Sequence, residues 1–511
     1  MNQLILVPLV VPLLTAVLSI LFRKTKLRDY VGLTGSLMYS GAVVMLASEI
    51  FKNGAMSYQA GGWPAPFGIT LVADQLSALM LLLTAIVALT TSIYSWGYVS
   101  DKGKQNGYYA FTSFMLTGIT GAFITGDVFN LFVMFELILM SSYALVAYSG
   151  SKKSLFISMK YVVLNLIGSS LMLIAIGGLY SVTGTLNMAD MALILSNGEV
   201  NMYPVLGLSM ILFAVFAIKS GLAPFHFWAP PVYSNSPTPA SALMSGISKK
   251  VGIYAVIRLY LTVFSSATLP DSALIFSGQP MIHVTGYATA LMASATILIG
   301  GIGAVNRKSL DRLLSYSSIG QVGFIYIPVS ITMITGAVAP LAASITYILS
   351  HGIAKPALFM ISGIIEKITG TSNLEELGGL SEKSFILSTS FFISAFSLIG
   401  IPPLLGFFAK FTVFEATIQS GNPFLTAILV VGSVTTLIYF LKAFTEIFMG
   451  APVDVDCSKV ERKEVFAVMM LTISLIVLGL HFEIVYGLVE QAARSAINSE
   501  AYIETVLGGV K

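Results

Sequence analysis

Six side chains able to take up and release a proton lie inside otherwise apolar stretches: Glu136, Lys219, Lys250, His351, Lys355 and Lys410. An ammonium or carboxyl in a lipid-spanning segment is costly unless it faces a partner or a wet cavity, so such residues usually mark an ion path. Lys219 stands just before a Gly-Leu-Ala-Pro interruption (Gly221 to Pro224), and Lys250 follows in the next apolar stretch. His351 and Lys355 are spaced i, i+4, which puts them on one helix face. Imidazole both accepts and donates near neutral pH, so this pair suits proton transfer. Lys410 lies beyond Pro402 and Pro403 in a further long apolar run.

Each has a plainer reading. Glu136 sits roughly 12 Å into its span at 1.5 Å per residue, where it can be a neutral carboxyl bonded to a neighbouring helix. Lys219 can snorkel to the surface, although FAVFAI and GLAPF on either side offer it no polar company. Lys249 and Lys250 diverge by about 100° on a helix, so one path takes only one of them, and Lys249 is kept as support. His226, Lys442 and Glu415 are assigned entrance or supporting roles, and Arg258 reads as an interhelical anchor. Asp74, Asp127 and Asn130 begin spans, where an acid favours the helix N-terminus.

The elements that must carry these groups follow from composition. The chain has 511 residues, 56% hydrophobic and 10% charged, against roughly 25% charge in soluble domains. Apolar segments fall at about 3–22, 31–51, 70–96, 108–126, 128–148, 160–182, 203–232, 237–265, 283–304, 311–330, 334–365, 385–418, 423–447 and 465–489, about fourteen helical spans. The result is an all-α polytopic membrane protein. The first segment has its basic cluster behind it and reads as a retained helix.

Basic residues from Arg23 to Lys463 fall almost entirely in loops after odd-numbered spans, whereas loops after even-numbered spans hold essentially Lys52. The positive-inside rule then places both termini outside. The spans beginning near 203, 334 and 385 are over-long, and each holds a lysine with an internal Gly or Pro, the pattern of a discontinuous helix. Lys219 to Lys410 and Lys250 to Lys442 are nearly equal separations, a weak sign of an inverted repeat. The single Cys457 excludes an internal disulfide, a thiolate metal cluster and an iron–sulfur centre, so no cofactor is expected and redox chemistry would belong to a partner. The net charge of +3 is explained by topology and does not point to nucleic acid.

The stretches GGWPAPFGITLVADQLSALM, GDVFNLFVMFELILMSSYAL, LYSVTGTLNMADMA, SKKVGIYAVIRLY and GIPPLLGFFAK resemble the antiporter-like subunits shared by respiratory complex I, membrane-bound hydrogenases and Mrp-type sodium/proton antiporters. The resemblance implies fourteen helices, with three N-terminal ones in 1–107, five-helix repeats in 108–265 and 283–447, discontinuous helices 7 and 12, and a last helix in 465–489. It matches Glu136, Lys219, Lys250 rather than Lys249, His351, Lys355 and Lys410 to the family's proton path. The acidic turn that often follows PFHxW in complex I relatives is replaced by APPVYSNSPTP.

The expected function is proton translocation within a monovalent cation/proton antiporter of a prokaryotic cell membrane, among other membrane subunits. Passage of sodium through this chain stays open. The rivals are an ion-translocating subunit of a redox-driven complex and a structural scaffold.

Overall fold

The computed structural model describes residues 2–198, 200–269, 278–453, 456 and 459–508; Cys457 lies outside them. Apart from one hairpin, the regular elements among the described residues are helices. The first helices are α1 (Val7–Leu21), α2 (Leu27–Asn53) and α3 (Gln75–Tyr98). Between α2 and α3, β1 (Met56–Gln59) pairs antiparallel with β2 (Thr70–Ala73), Met56 opposite Ala73 and Gln59 opposite Thr70. Next come α4 (Tyr108–Ile124), α5 (Val128–Val146), α6 (Lys152–Thr183), α7 (Met202–Ser220) and α8 (Lys249–Val256). The second half holds α9 (Met281–Val305), α10 (Leu310–Thr335), α11 (Val338–Thr369), α12 (Phe385–Ile399), α13 (Leu405–Gln419), α14 (Pro423–Phe448), α15 (Arg462–Leu480) and α16 (Phe482–Ile497).

Among the described residues, eleven helices are long and apolar enough to cross a bilayer. The segments expected as spans four, eight and twelve fall outside that count for visible reasons. α4 has only 17 residues. The eighth segment is divided by π-helical turns at Met244–Ser248 and Ile257–Val263, which the apolar pattern did not foretell. The twelfth breaks between α12 and α13, as expected, at Gly400 to Pro403.

The expectation of a discontinuous eleventh span is wrong. α11 is one continuous helix of 32 residues with Pro356 inside it. Proline removes one ladder bond and crowds the preceding turn, but here the neighbour gives way. The ring packs against Gly246 of the first π-turn, where an added Cβ would lie 2.5 Å from Pro356 Cγ. α11 is the central element, with the whole of its most apolar window buried.

An internal repeat is written into two turns. Thr183-Gly184-Thr185-Leu186-Asn187 after α6 corresponds to Thr369-Gly370-Thr371-Ser372-Asn373 after α11. Gly184 and Gly370 have φ of 72° and 78°, left-handed values that favour glycine. Thr183 Oγ1 donates to Thr185 O and Thr369 Oγ1 to Thr371 O. Asn187 bridges back to Asp127 before α5, and Asn373 to Ser309 before α10. The helix breaks correspond as well: the Leu222 N–H bonds Ala217 O and the Ile401 N–H bonds Phe396 O, both at 2.9–3.1 Å. The lysines do not share this register. Lys219 precedes its break, Lys410 follows its own, and Lys442 stands at the end of α9 rather than beside the centre as Lys250 does. The near-equal lysine spacing is therefore not the mark of the repeat.

Arg258 is the interhelical anchor its position suggested. Its Nη2 donates to Asp74 Oδ2 at 2.6 Å, with both side chains 2% exposed. Asp74 also caps α3 by accepting from the Ser77 N–H. Removing one partner of a buried pair strands the other charge at a cost of about 3–5 kcal/mol. Asp74→Ala is therefore expected to lower the thermal midpoint in detergent well below that of the Asp74→Ala/Arg258→Met double variant; equal midpoints would show that the pair does not anchor α3.

Candidate functional site

Glu136, half-buried on α5, accepts a hydrogen bond from Ser169 Oγ of α6. The Lys219 ammonium lies 3.5 Å from the same Ser169 oxygen and 3.4 Å from Asn165 Oδ1. Among the described residues no ion pair within 4.0 Å joins Glu136 to Lys219. Ser169 therefore stands between the carboxyl and the ammonium. Asn165 and Ser169 are one helical turn apart, a polar i, i+4 pair in an apolar run, and that signal was available in the sequence but not used.

Lys219 is placed by the break that follows it. α7 stops at Gly221, and the carbonyl of Ile218 accepts the Trp228 indole N–H at 2.8 Å. The Ala223 N–H donates to Thr296 Oγ1 of α9 at 2.8 Å, which ties the break to the second repeat. His226, half-buried in the same loop, has its Nδ1 buried without a hydrogen-bond partner.

A second group of charges fills the centre. Lys250 Nζ donates to Ser245 O at 2.8 Å, a carbonyl inside the π-turn. Lys249 reaches the opposite way, to the Ser318 carbonyl at 2.9 Å and its hydroxyl at 2.5 Å. Both adjacent lysines are buried, so Lys249 is a tie between α8 and α10. Lys355 Nζ donates to Ser317 Oγ at 2.7 Å and to Leu314 O at 3.1 Å. His351 is fully buried, and neither ring nitrogen has a partner. α11 passes beside this group, where a Cβ added at Gly246 would lie 3.4 Å from Gly352 O. α7 and α8 touch beside Lys219, where an added Cβ on Gly252 would lie 3.3 Å from Lys219 Cβ. No hydrogen bond among the described residues links Lys219 to Lys250.

From Lys355 a file of uncharged polar groups continues. Ser317 Oγ pairs with Tyr439 OH at 2.7 Å. Gln321 Nε2 donates to Tyr439 OH at 3.1 Å and Thr436 Oγ1 at 3.2 Å, and its carbonyl accepts from Tyr347 OH. Tyr347 stacks on Phe324, over whose ring the Lys410 ammonium sits at 5.0 Å. Lys410 also donates to Ser433 Oγ at 3.3 Å.

The supporting residues lie apart from this file. Lys442 is half-buried and reaches the carbonyls of Val305 and Arg307 at 3.5 and 3.4 Å, where a cation stabilises the end of α9. Glu415 is exposed on α13. Among the described residues, no three His, Cys, Asp or Glu side chains converge to hold a metal ion.

Residues 125–436 match the family described as NADH:quinone oxidoreductase/Mrp antiporter, TM, and residues 59–111 match the NADH-ubiquinone oxidoreductase (complex I), chain 5 N-terminus family. The D-type subunit of a Na(+)/H(+) antiporter from Bacillus subtilis is 36% identical across 99% of this chain and 100% of its own length. Its counterpart from Alkalihalophilus pseudofirmus is 35% identical over the same shares. Among solved structures, a chain of the Mrp complex from Dietzia superposes with a TM-score of 0.88 at 28% identity, covering 99% of both chains. A chain of an archaeal respiratory complex, the membrane-bound sulfane sulfur reductase, superposes at 0.89 with 26% identity, covering 99% of this chain and 100% of its own. A family match over more than half the chain, with full-length relatives above one-third identity, places this protein in the NADH:quinone oxidoreductase/Mrp antiporter transmembrane family.

Proposed function

We propose that the protein is the proton-translocating subunit, of the D type, in a multi-subunit sodium/proton antiporter. It works in the cell membrane of a prokaryote with both termini outside, as the distribution of basic loops requires. The observation that supports the reading is that Glu136 and Lys219 share Ser169 while Lys250, His351, Lys355 and Lys410 are buried within the same bundle. The two halves containing it, 108–265 and 283–447, act as five-helix repeats.

The chemistry is proton exchange between amines and imidazole under changing local charge. Two unit charges 4 Å apart interact by about 4 kcal/mol at an effective dielectric of about 20, so moving one charge resets the proton affinity of its neighbour. Ser169 can rotate between Glu136 and Lys219, and its hydroxyl sets how strongly the carboxylate is felt. A proton passes by water from Lys219 to Lys250, then through the His351 and Lys355 pair and the Ser317, Tyr439 and Gln321 network toward Lys410. Amines and hydroxyls suit a proton better than sodium, which needs several oxygen ligands. Sodium is therefore carried in a neighbouring subunit.

Likeness to a chain of the archaeal respiratory complex supports a second reading, a redox-driven translocase subunit. The same relay would serve it, and the full-length identity to sodium/proton antiporter subunits favours the first. Co-purification separates the two, because iron–sulfur or nickel proteins accompany only the redox-driven complex.

In everted vesicles containing the assembled complex, Glu136→Ala and Lys219→Ala are each expected to abolish sodium-driven proton flux, read by a pH-sensitive dye. Wild-type flux from either variant at normal subunit stoichiometry would leave the scaffold reading. Gln321→Leu removes the amide that joins Tyr439, Thr436 and Tyr347 without touching a charge. It is expected to slow flux about tenfold, or ~1.4 kcal/mol of barrier; an unchanged rate would take the network out of the path.

A further inference from the structure

Asp311, on the first turn of α10, is a half-buried acid that the file above does not use. Its Oδ1 accepts from Ser362 Oγ at 2.6 Å, and among the described residues it has no cation within 4.0 Å. One helical turn further along α10, the Leu314 carbonyl accepts the Lys355 ammonium. The acid and the lysine's anchor therefore lie on successive turns of one helix, and the proposed transfer between them runs through water.

On α11, Ser362 and Glu366 stand about two and three turns beyond Lys355, on the same face. Glu366 is exposed, one turn beyond Ser362 on the same face of α11. It lines a cavity of 550 Å³ with Tyr98, Lys102, Pro237 and Lys367, on the face that carries the basic loops. Tyr98 continues the polar lining by accepting from Thr238 Oγ1 at 2.9 Å. A neighbouring acid, Glu464, differs in being tied to Lys367 in an ion pair. The arrangement also echoes the first repeat, in which an acid of α5 bonds a serine of α6; here an acid of α10 bonds a serine of α11.

We infer that Glu366 and Asp311 form a proton inlet that opens on the basic-loop face and delivers to Lys355. This rests on the reading of the chain as a proton-translocating subunit. In the step, the Asp311 carboxylic acid gives its proton through water to the neutral Lys355 amine, leaving a carboxylate and an ammonium. Glu366, supplied from the aqueous cavity, then reprotonates Asp311. The alternative role for Asp311 is as a first-turn acid whose charge steadies the α10 N-terminus, which predicts a lower thermal midpoint in Asp311→Asn but no rescue of flux by formate.

The test uses the complete complex in everted vesicles, with Lys219→Ala as reference. Asp311→Asn keeps the shape and loses the proton. It is expected to reduce sodium-driven proton flux at least about tenfold with unchanged half-saturating sodium, while Asp311→Glu retains most of the flux. Added formate, a small weak acid able to enter the cavity, is expected to restore flux in Asp311→Asn in proportion to its concentration. Flux within about twofold of wild type in Asp311→Asn would overturn the inlet. If Lys219→Ala is silent in that case, only the inlet falls; if Lys219→Ala is also active, the parent reading falls with it. Should Asp311→Asn not assemble, Ser362→Ala and Glu366→Gln carry the test. Each is expected to lower flux at least about threefold and shift its pH profile, and wild-type behaviour in both would overturn the inlet.

Discussion

A charge inside a bilayer must be solvated by the protein, because lipid offers it nothing. Five buried lysines depend on this. Lys250 is served by a carbonyl inside a π-turn, whose irregular winding turns a backbone oxygen toward the interior. Lys249 and Lys355 use carbonyls of α10, each oxygen lending its second lone pair, together with a serine hydroxyl from the same helix. Lys219 and Lys410 have side-chain oxygens instead. The departures from regular helix are therefore not defects in the spans. They are where the fold supplies, or reorients, the polar groups that water would otherwise provide.

The repeat explains why the charges collect at the centre. Aligned without a gap from the turns they share, Tyr161 corresponds to Tyr347, Asn165 to His351 and Ser169 to Lys355, while Glu136 corresponds to Ser318. In the first repeat, the acid and the Asn/Ser pair surround Lys219. In the second, the equivalent positions hold the serine that binds Lys249 and the His/Lys pair beside Lys250. One architecture is used twice, with complementary chemistry at matching places, and the lysine arriving in the second pocket comes from the first half of the chain. The proposed relay between the halves rests on that exchange rather than on the spacing of lysines along the sequence.

How much could be read without coordinates depended on cost. A lysine within an apolar run is conspicuous because it is expensive, and Lys219, Lys250, His351, Lys355 and Lys410 stood out for that reason; all are buried. Ser169, Ser317, Gln321 and Tyr439 cost little in a spanning helix, so nothing in the pattern set them apart from packing residues. Asp311 was hidden by company, since Arg307, Lys308 and Arg312 make its surroundings look like a loop. Pro356 misled in the other direction. A proline usually interrupts a helix, but whether it does depends on its neighbour, and Gly246 lies more than a hundred residues away in the chain. The paired Thr-Gly-Thr-x-Asn turns were legible throughout and needed only comparison of the sequence with itself.

The partners also sort the charges by what they can do. Arg258 with Asp74, Lys104 with Asp29, Arg28 with Asp101 and Lys367 with Glu464 each meet an opposite charge. An ionic partner holds its mate in one protonation state and one place, which is what an anchor between helices needs. Among the described residues, Lys219, Lys249, Lys250, Lys355 and Lys410 hydrogen-bond to hydroxyls, amides or carbonyls and make no ion pair within 4.0 Å. A hydroxyl accepts from an ammonium and, after rotating, donates to an amine, so a site built from such groups tolerates both states. Glu136 and Asp311 fall in the same class, each bonded to a single serine. On the proposed reading, fastening and conducting charges differ less in how deeply a residue is buried than in whether its neighbour would object to losing the proton.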